Sequence, residues 1–130
     1  MDNLTYLKNK IWTVYDECQY DNWDGYQATR VTSEAYAMAL KLAEALPEDL
    51  LKEDIDVGAD PDGDVTFEWY YNESLYGSLC IGEDGHLIYD KVFGFDANDD
   101  LNITLQSTKF DGKTIPEEIL EIIRSIGGIL

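Results

Sequence analysis

One histidine, two cysteines and nine basic residues are all that 130 positions hold of the groups that most often bind metals, attack substrates or grip phosphate. His86 alone, with Cys18 and Cys80 far apart, cannot assemble the usual zinc donor set, and no Ser-His-Asp or Cys-His order stands out. Lacking CxxC spacing, the two cysteines read as small buried hydrophobes in a reducing compartment. Phosphate-cradling glycine motifs of the P-loop or dinucleotide kind are missing too. No apolar run approaches the roughly 18 residues that span a bilayer, and the opening "MDNLTYLKNK" lacks the cationic-then-apolar order of a signal peptide. The chain therefore reads as intracellular, with a cytoplasmic location expected.

Against the nine Lys and Arg stand 27 Asp and Glu, a formal charge of -18. A small soluble domain ordinarily carries a net charge of about 2–8 in magnitude, and the self-repulsion of this excess works against compaction. Disordered acidic chains are poor in aromatics, whereas this one has three Trp, nine Tyr and four Phe, so it is expected to fold. Its surface has too few cations for phosphate contacts, which argues against direct binding of nucleic acid or an anionic membrane. A basic protein, by contrast, would be attracted from a distance.

The length suits one compact domain over 1–130, without repeat, low-complexity tract or interdomain linker. Leu4, Leu7, Ile11, Val14 and Cys18 recur at three- and four-residue steps and predict a first helix of about fifteen residues. Gly25 and the Asn and Asp around it make 19–32 a connecting loop, which Trp23 and Tyr26 are expected to plug onto the domain. A second helix is expected from about Ser33 to Leu46, capped by Thr32 or Ser33 and stopped by Pro47. The period then changes to two: Ile55, Val57 and Ala59 alternate with Asp54, Asp56 and Gly58, and Val65, Phe67, Trp69 and Tyr71 alternate with Asp64, Thr66, Glu68 and Tyr70. Asp60-Pro61-Asp62-Gly63 between them is a hairpin turn, as is Glu83-Asp84-Gly85 ahead of "HLIYDKVF". "LNITLQS" is a possible fifth strand, and Thr114-Ile-Pro-Glu117 opens a final helix with a stripe of Ile119, Ile122, Ile123 and Ile126, ended by Gly127-Gly128. The expected fold is α+β: an antiparallel meander of four to five strands with two N-terminal helices and one C-terminal helix packed on one face.

Five aspartates fall within 54–64, but a calcium loop fails there. Counted from Asp60, Val65 stands where the loop needs Gly and Tyr71 where it needs Glu; counted from Asp96, Leu101 and Ser107 stand there. No metal, cofactor or catalytic residue is assigned, and His86 is expected to be an exposed strand residue. What remains is the carboxylate surface: fourteen acids and one base, Lys52, lie between Glu44 and Asp90. Alternation sends Asp54, Asp56, Asp64 and Glu68 to the side opposite the apolar row. Strands about 4.8 Å apart could carry carboxylates in a phosphate-like array, phosphates recurring about every 3.4 Å of axis on each nucleic-acid strand. Tyr70, Tyr76, Tyr71 and Trp69 lie among these acids, where they read as aromatic interface anchors or equally as core, since alternation buries one tyrosine of each adjacent pair; the expected partner-binding set is Asp54, Asp56, Asp64, Glu68, Tyr70, Glu73 and Tyr76.

"NWDGYQA", "SEAYAMALKLAEALP", "PDGDVTFEW", "DGHLIY" and "IPEEIL" together resemble a set of small uncharacterised bacterial and mobile-element proteins. They share an N-W-D-G-Y-x-A loop, a PDG hairpin before F-E-W and a late I-P-E-E helix. The resemblance spans Asn22 to Leu120 and implies an α+β fold; it points to no particular enzyme activity. In acidity alone, the chain is also similar to phage-encoded anti-restriction and anti-CRISPR inhibitors that occupy nucleic-acid-binding grooves. The expected function is thus a non-enzymatic acidic protein that blocks a basic, nucleic-acid-handling partner by phosphate mimicry. The alternatives are an antitoxin or immunity-type inhibitor of a basic toxin, or a small hydrolase using paired carboxylates.

Overall fold

A computed structural model describes residues 2–72, 75–93 and 106–128. Three helices and a five-stranded antiparallel sheet follow one another as the α+β reading expects. Helix α1 (Asn3–Cys18) starts at the Asp2 side chain, which accepts from the Thr5 N–H, and α2 (Ser33–Ala45) starts at the Thr32 hydroxyl, which accepts from Ala35 N–H. Such caps satisfy N–H groups that a helix start leaves without a partner. Pro47 follows α2 and leads through a 3-10 turn at Glu48–Leu50 into the sheet.

The strands are β1 (Asp56–Ala59), β2 (Val65–Asn72), β3 (Leu75–Ile81), β4 (His86–Phe93) and β5 (Gln106–Lys109), joined as a meander in the order β1-β2-β3-β4-β5. Both hairpin signals close as expected. Gly63 and Gly85 take φ of +89° and +85°, a region open to glycine at little cost, and Asp60 Oδ1 accepts from the Asp62 and Asp64 N–H groups. The first strand begins at Asp56 and not Asp54, because the turn before it is held to α1: Lys10 Nζ donates to the Glu53 and Ile55 carbonyls at 2.9 and 2.6 Å.

Val65, Phe67 and Trp69 of β2, Leu79 and Ile81 of β3, and Leu87 and Tyr89 of β4 form the buried row. They join one core with Leu7 and Ile11 of α1, Ala39 and Leu42 of α2, and Ile119 and Ile123 of α3 (Glu117–Gly128). The Trp69 indole N–H donates to the Leu50 carbonyl at 3.0 Å, so this Trp belongs to the core and is no surface anchor. Tyr26 differs from expectation. It is 87% exposed at the loop tip, while Trp23 alone packs on the core, because its indole N–H donates to the Thr29 carbonyl and turns the ring inward.

Candidate functional site

Register sets the acidic surface. Asp56 pairs with Glu68, Glu68 with Ser78 and Ser78 with Asp90, so one line across four strands holds Asp56, Glu68, Ser78 and Asp90. Asp56 is exposed, Glu68 half-buried, and the half-exposed Tyr70 donates its hydroxyl to Glu68 Oε2 at 2.8 Å. That bond holds an aromatic ring beside the carboxylate. Asp54 is exposed in the turn ahead of β1. Glu73 lies outside the described residues; Tyr76 stands opposite Tyr70 in the register. Asp90 is the acid that sequence reasoning missed, because its place in the line depends on the pairing of β3 with β4.

Asp64 does not belong to that surface. It is 7% exposed and turned into the fold, where its Oδ2 lies 2.8 Å from Nε2 of His86. The other ring nitrogen, Nδ1, meets Asp84 Oδ1, and Asp84 also accepts from the His86 N–H. Two carboxylates therefore clamp one imidazole between the two hairpin turns. The Asp64 bond first, and then Asp84, hold the His86 pKa above its usual value of 6.5 despite the opposing effect of burial. The His86 backbone and ring in turn hold Asp84 below 3.8. Gly82 makes room for this: a Cβ there would lie 2.0 Å from Cε1 of the ring. His86 is thus the first residue of β4, a strand residue as expected, but it is half-buried and its ring is held as an ionic clip. With both nitrogens engaged by carboxylates, it has no free lone pair for general-base work.

The neighbouring loop is tied down as firmly. Asp24 Oδ1 accepts from Tyr26 and Ala28 N–H, Asn22 Oδ1 accepts from Gln27 N–H, and Thr29 N–H donates to the Pro61 carbonyl. Asn22 and Gln27 are held at φ of 65° and 69°, a strained region for residues with a side chain. Next to the clip, Thr32 donates from its hydroxyl to Glu83 Oε2 at 2.9 Å, joining the second hairpin to the start of α2. A cleft of about 190 Å³ between Thr29, Arg30, Asp62, Glu83 and His86 follows from these ties. Its cation, Arg30, faces Asp21 at 3.9 Å.

Sequence reasoning also passed over a second aromatic group. Trp12 and Tyr15 of α1 meet Tyr36 of α2, with the two tyrosine rings stacked at 4.7 Å and Trp12 at 5.9–6.0 Å from each. Among the described residues, no group of three or more His, Cys, Asp or Glu is placed to hold a metal ion, and no helix is long and apolar enough to cross a membrane. Asp60 is the described carboxyl whose pKa burial pushes up, and it is occupied by turn N–H groups. Comparison with protein-family models, curated proteins and solved structures finds no match.

Proposed function

We propose that this chain is a non-enzymatic binding protein whose acidic sheet surface enters the phosphate-binding groove of a basic, nucleic-acid-handling protein. The observation that carries the reading is the line Asp56, Glu68, Ser78, Asp90, which sets three acids in one row on a hydrogen-bonded scaffold. Adjacent strands lie about 4.8 Å apart, so acids on neighbouring or next-but-one strands recur at intervals that two rows of phosphates also present. Like charges opposed across strands cost stability, typically a few tenths of a kcal/mol per exposed pair. A chain that keeps such a row under a net charge of -18 is served by a cationic partner that relieves it. Tyr70, hydrogen-bonded to Glu68, supplies an aromatic anchor beside that row.

Asp64 drops out of the binding set because it is buried against His86, and Asp90 takes its place. The test is capture of a partner from lysate at low salt, followed by competition. A partner that elutes as salt rises, is displaced by duplex DNA or RNA, and is lost when Asp56, Glu68 and Asp90 become Asn or Gln fits the proposal. Capture that is indifferent to salt, to nucleic acid or to those substitutions contradicts it.

A further inference from the structure

We propose that the Trp12–Tyr15–Tyr36 cluster is a docking surface for an arginine side chain on a basic protein segment, an inference that rests on the cationic-partner reading above. Tyr15 of α1 and Tyr36 of α2 are half-buried and pack against the edge of the core, and Trp12 lies outside them on the flank of α1, off the stripe of Leu7, Ile11 and Cys18. The rings pack on one another, yet Trp12 stays 51% exposed. Tyr15 and Tyr36 stack in parallel at 4.7 Å with an interplanar angle of 16°, which holds Trp12 from behind and limits its freedom before any partner arrives. A ring fixed in this way loses little entropy on binding.

Charge selects the occupant. A second copy of this chain would bring another -18 to the contact, and a nucleic acid or an anionic membrane would repel it as well. Asp16, one helical turn beyond Trp12, is exposed, and the cleft that Tyr15 lines beside the cluster holds Glu34 together with Arg30, whose guanidinium faces Asp21 at 3.9 Å. Lys8, one helical turn before Trp12, faces Glu44 at 3.5 Å. A cation brought by a partner thus meets indole and phenol faces with carboxylates around them. Arg is favoured over Lys there, because a planar, weakly hydrated guanidinium stacks on a ring while a compact ammonium holds its water. The same helix already places a cation over a ring, with Lys10 Nζ 5.0 Å from the Tyr6 centroid.

The test titrates the full chain with nona-arginine and nona-lysine peptides at moderate salt, reading tryptophan fluorescence and calorimetry. The wild type should bind nona-arginine more tightly than nona-lysine. Trp12→Ala should weaken nona-arginine about threefold to thirtyfold, with a smaller effect on nona-lysine. Trp12→Phe, which keeps a ring in the cluster if Ala loosens the helix pair, should retain most of the affinity while abolishing the fluorescence change. The Asp56→Asn, Glu68→Gln variant should weaken both peptides alike and leave the preference for arginine in place. Equal affinities for the two peptides, or a Trp12→Ala protein that binds as the wild type does, overturns the aromatic site and leaves the acidic-surface reading standing. A wild type that binds neither peptide at low salt removes the cationic-partner reading itself. Concentration-dependent dimerisation abolished by Trp12→Ala would assign the face to a second copy and overturn the proposal.

Discussion

Gly82→Ala should be as damaging as removing the histidine it lies beneath. The added methyl would sit 2.0 Å from Cε1 and 2.6 Å from both ring nitrogens of His86. The backbone at Gly82 does not need a positive φ, so the ring must swing away and the backbone can stay in place. Swinging breaks both carboxylate contacts and leaves Asp64, 7% exposed, without its imidazole partner. Losing a hydrogen bond to a charged group costs about 1.5–3 kcal/mol, and the 40% exposure of the His86 side chain discounts this to about 1–2 kcal/mol. At this chain length that corresponds to a fall in Tm of about 4–8 °C. His86→Ala should fall by a similar amount, and the double variant by no more than either, since the methyl then meets empty space. The pH dependence is fixed in sign. The raised His86 pKa makes its contribution complete below 6.5 and lost as pH rises through the folded value, while the lowered Asp84 pKa makes its contribution complete above 3.8 and lost as pH falls through the folded value. The gap between wild type and Gly82→Ala should therefore be widest between those two values and close in alkaline buffer. Calorimetric scans of the four proteins across pH supply the measurement; additive single effects, or a gap that widens with alkalinity, would refute the clip.

Gln27→Gly should raise the urea midpoint by up to about 1 kcal/mol equivalent, because it relieves a φ of 69° at an exposed side chain, with the m value unchanged. Asp24→Ala should lower the same midpoint by about 1–2 kcal/mol equivalent, since the Tyr26 and Ala28 N–H groups lose their acceptor, and exchange at those two amides should speed up by NMR. Asp56→Asn with Glu68→Gln should raise Tm at low salt by about 1–2 °C, an advantage that shrinks as salt is added.

Local chemistry made most of the fold legible. Thr32 as cap, Pro47 as stop, and the glycines of Asp60–Gly63 and Glu83–Gly85 act within a few residues, and each appears where its spacing predicts. The fifth strand expected from "LNITLQS" is present: β5 covers Gln106–Lys109 and so includes Gln106 and Ser107 of that segment, while 101–105 fall outside the described residues. Asp64 shows where alternation stops being informative. Period two assigns a side of the sheet and says nothing of depth, and depth here comes from the second hairpin, brought alongside by the pairing of Val65 with Ile81. The His86–Asp84 half of the clip was readable as an i, i+2 neighbour, whereas the Asp64 half required that register. The Trp12 cluster was hidden for the same reason. Its third ring comes from a different helix, and a search for apolar spacing along α1 finds the core stripe first.

The two groups of acids can now be separated by what their neutralisation would do. Asp64 and Asp84 each face the His86 ring, so replacing either removes an attraction and should destabilise the fold. Asp56 and Glu68 face one another across β1 and β2, so replacing them removes a repulsion and should stabilise it. A stabilising substitution is easy to reach by chance, and selection for folding alone gives no reason to keep the opposed pair. Solubility would be served as well by the same charges scattered apart, where they would not face each other across a strand pair. Opposed carboxylates on a sheet edge are therefore informative in a way that the total charge is not: the fold carries their repulsion in the free state, and a cationic surface laid across them would relieve it. Binding and stability should then move in opposite directions in the Asp56→Asn, Glu68→Gln protein, whose gain in Tm would accompany loss of the partner; a gain in Tm with the partner retained would place the binding surface elsewhere on the chain.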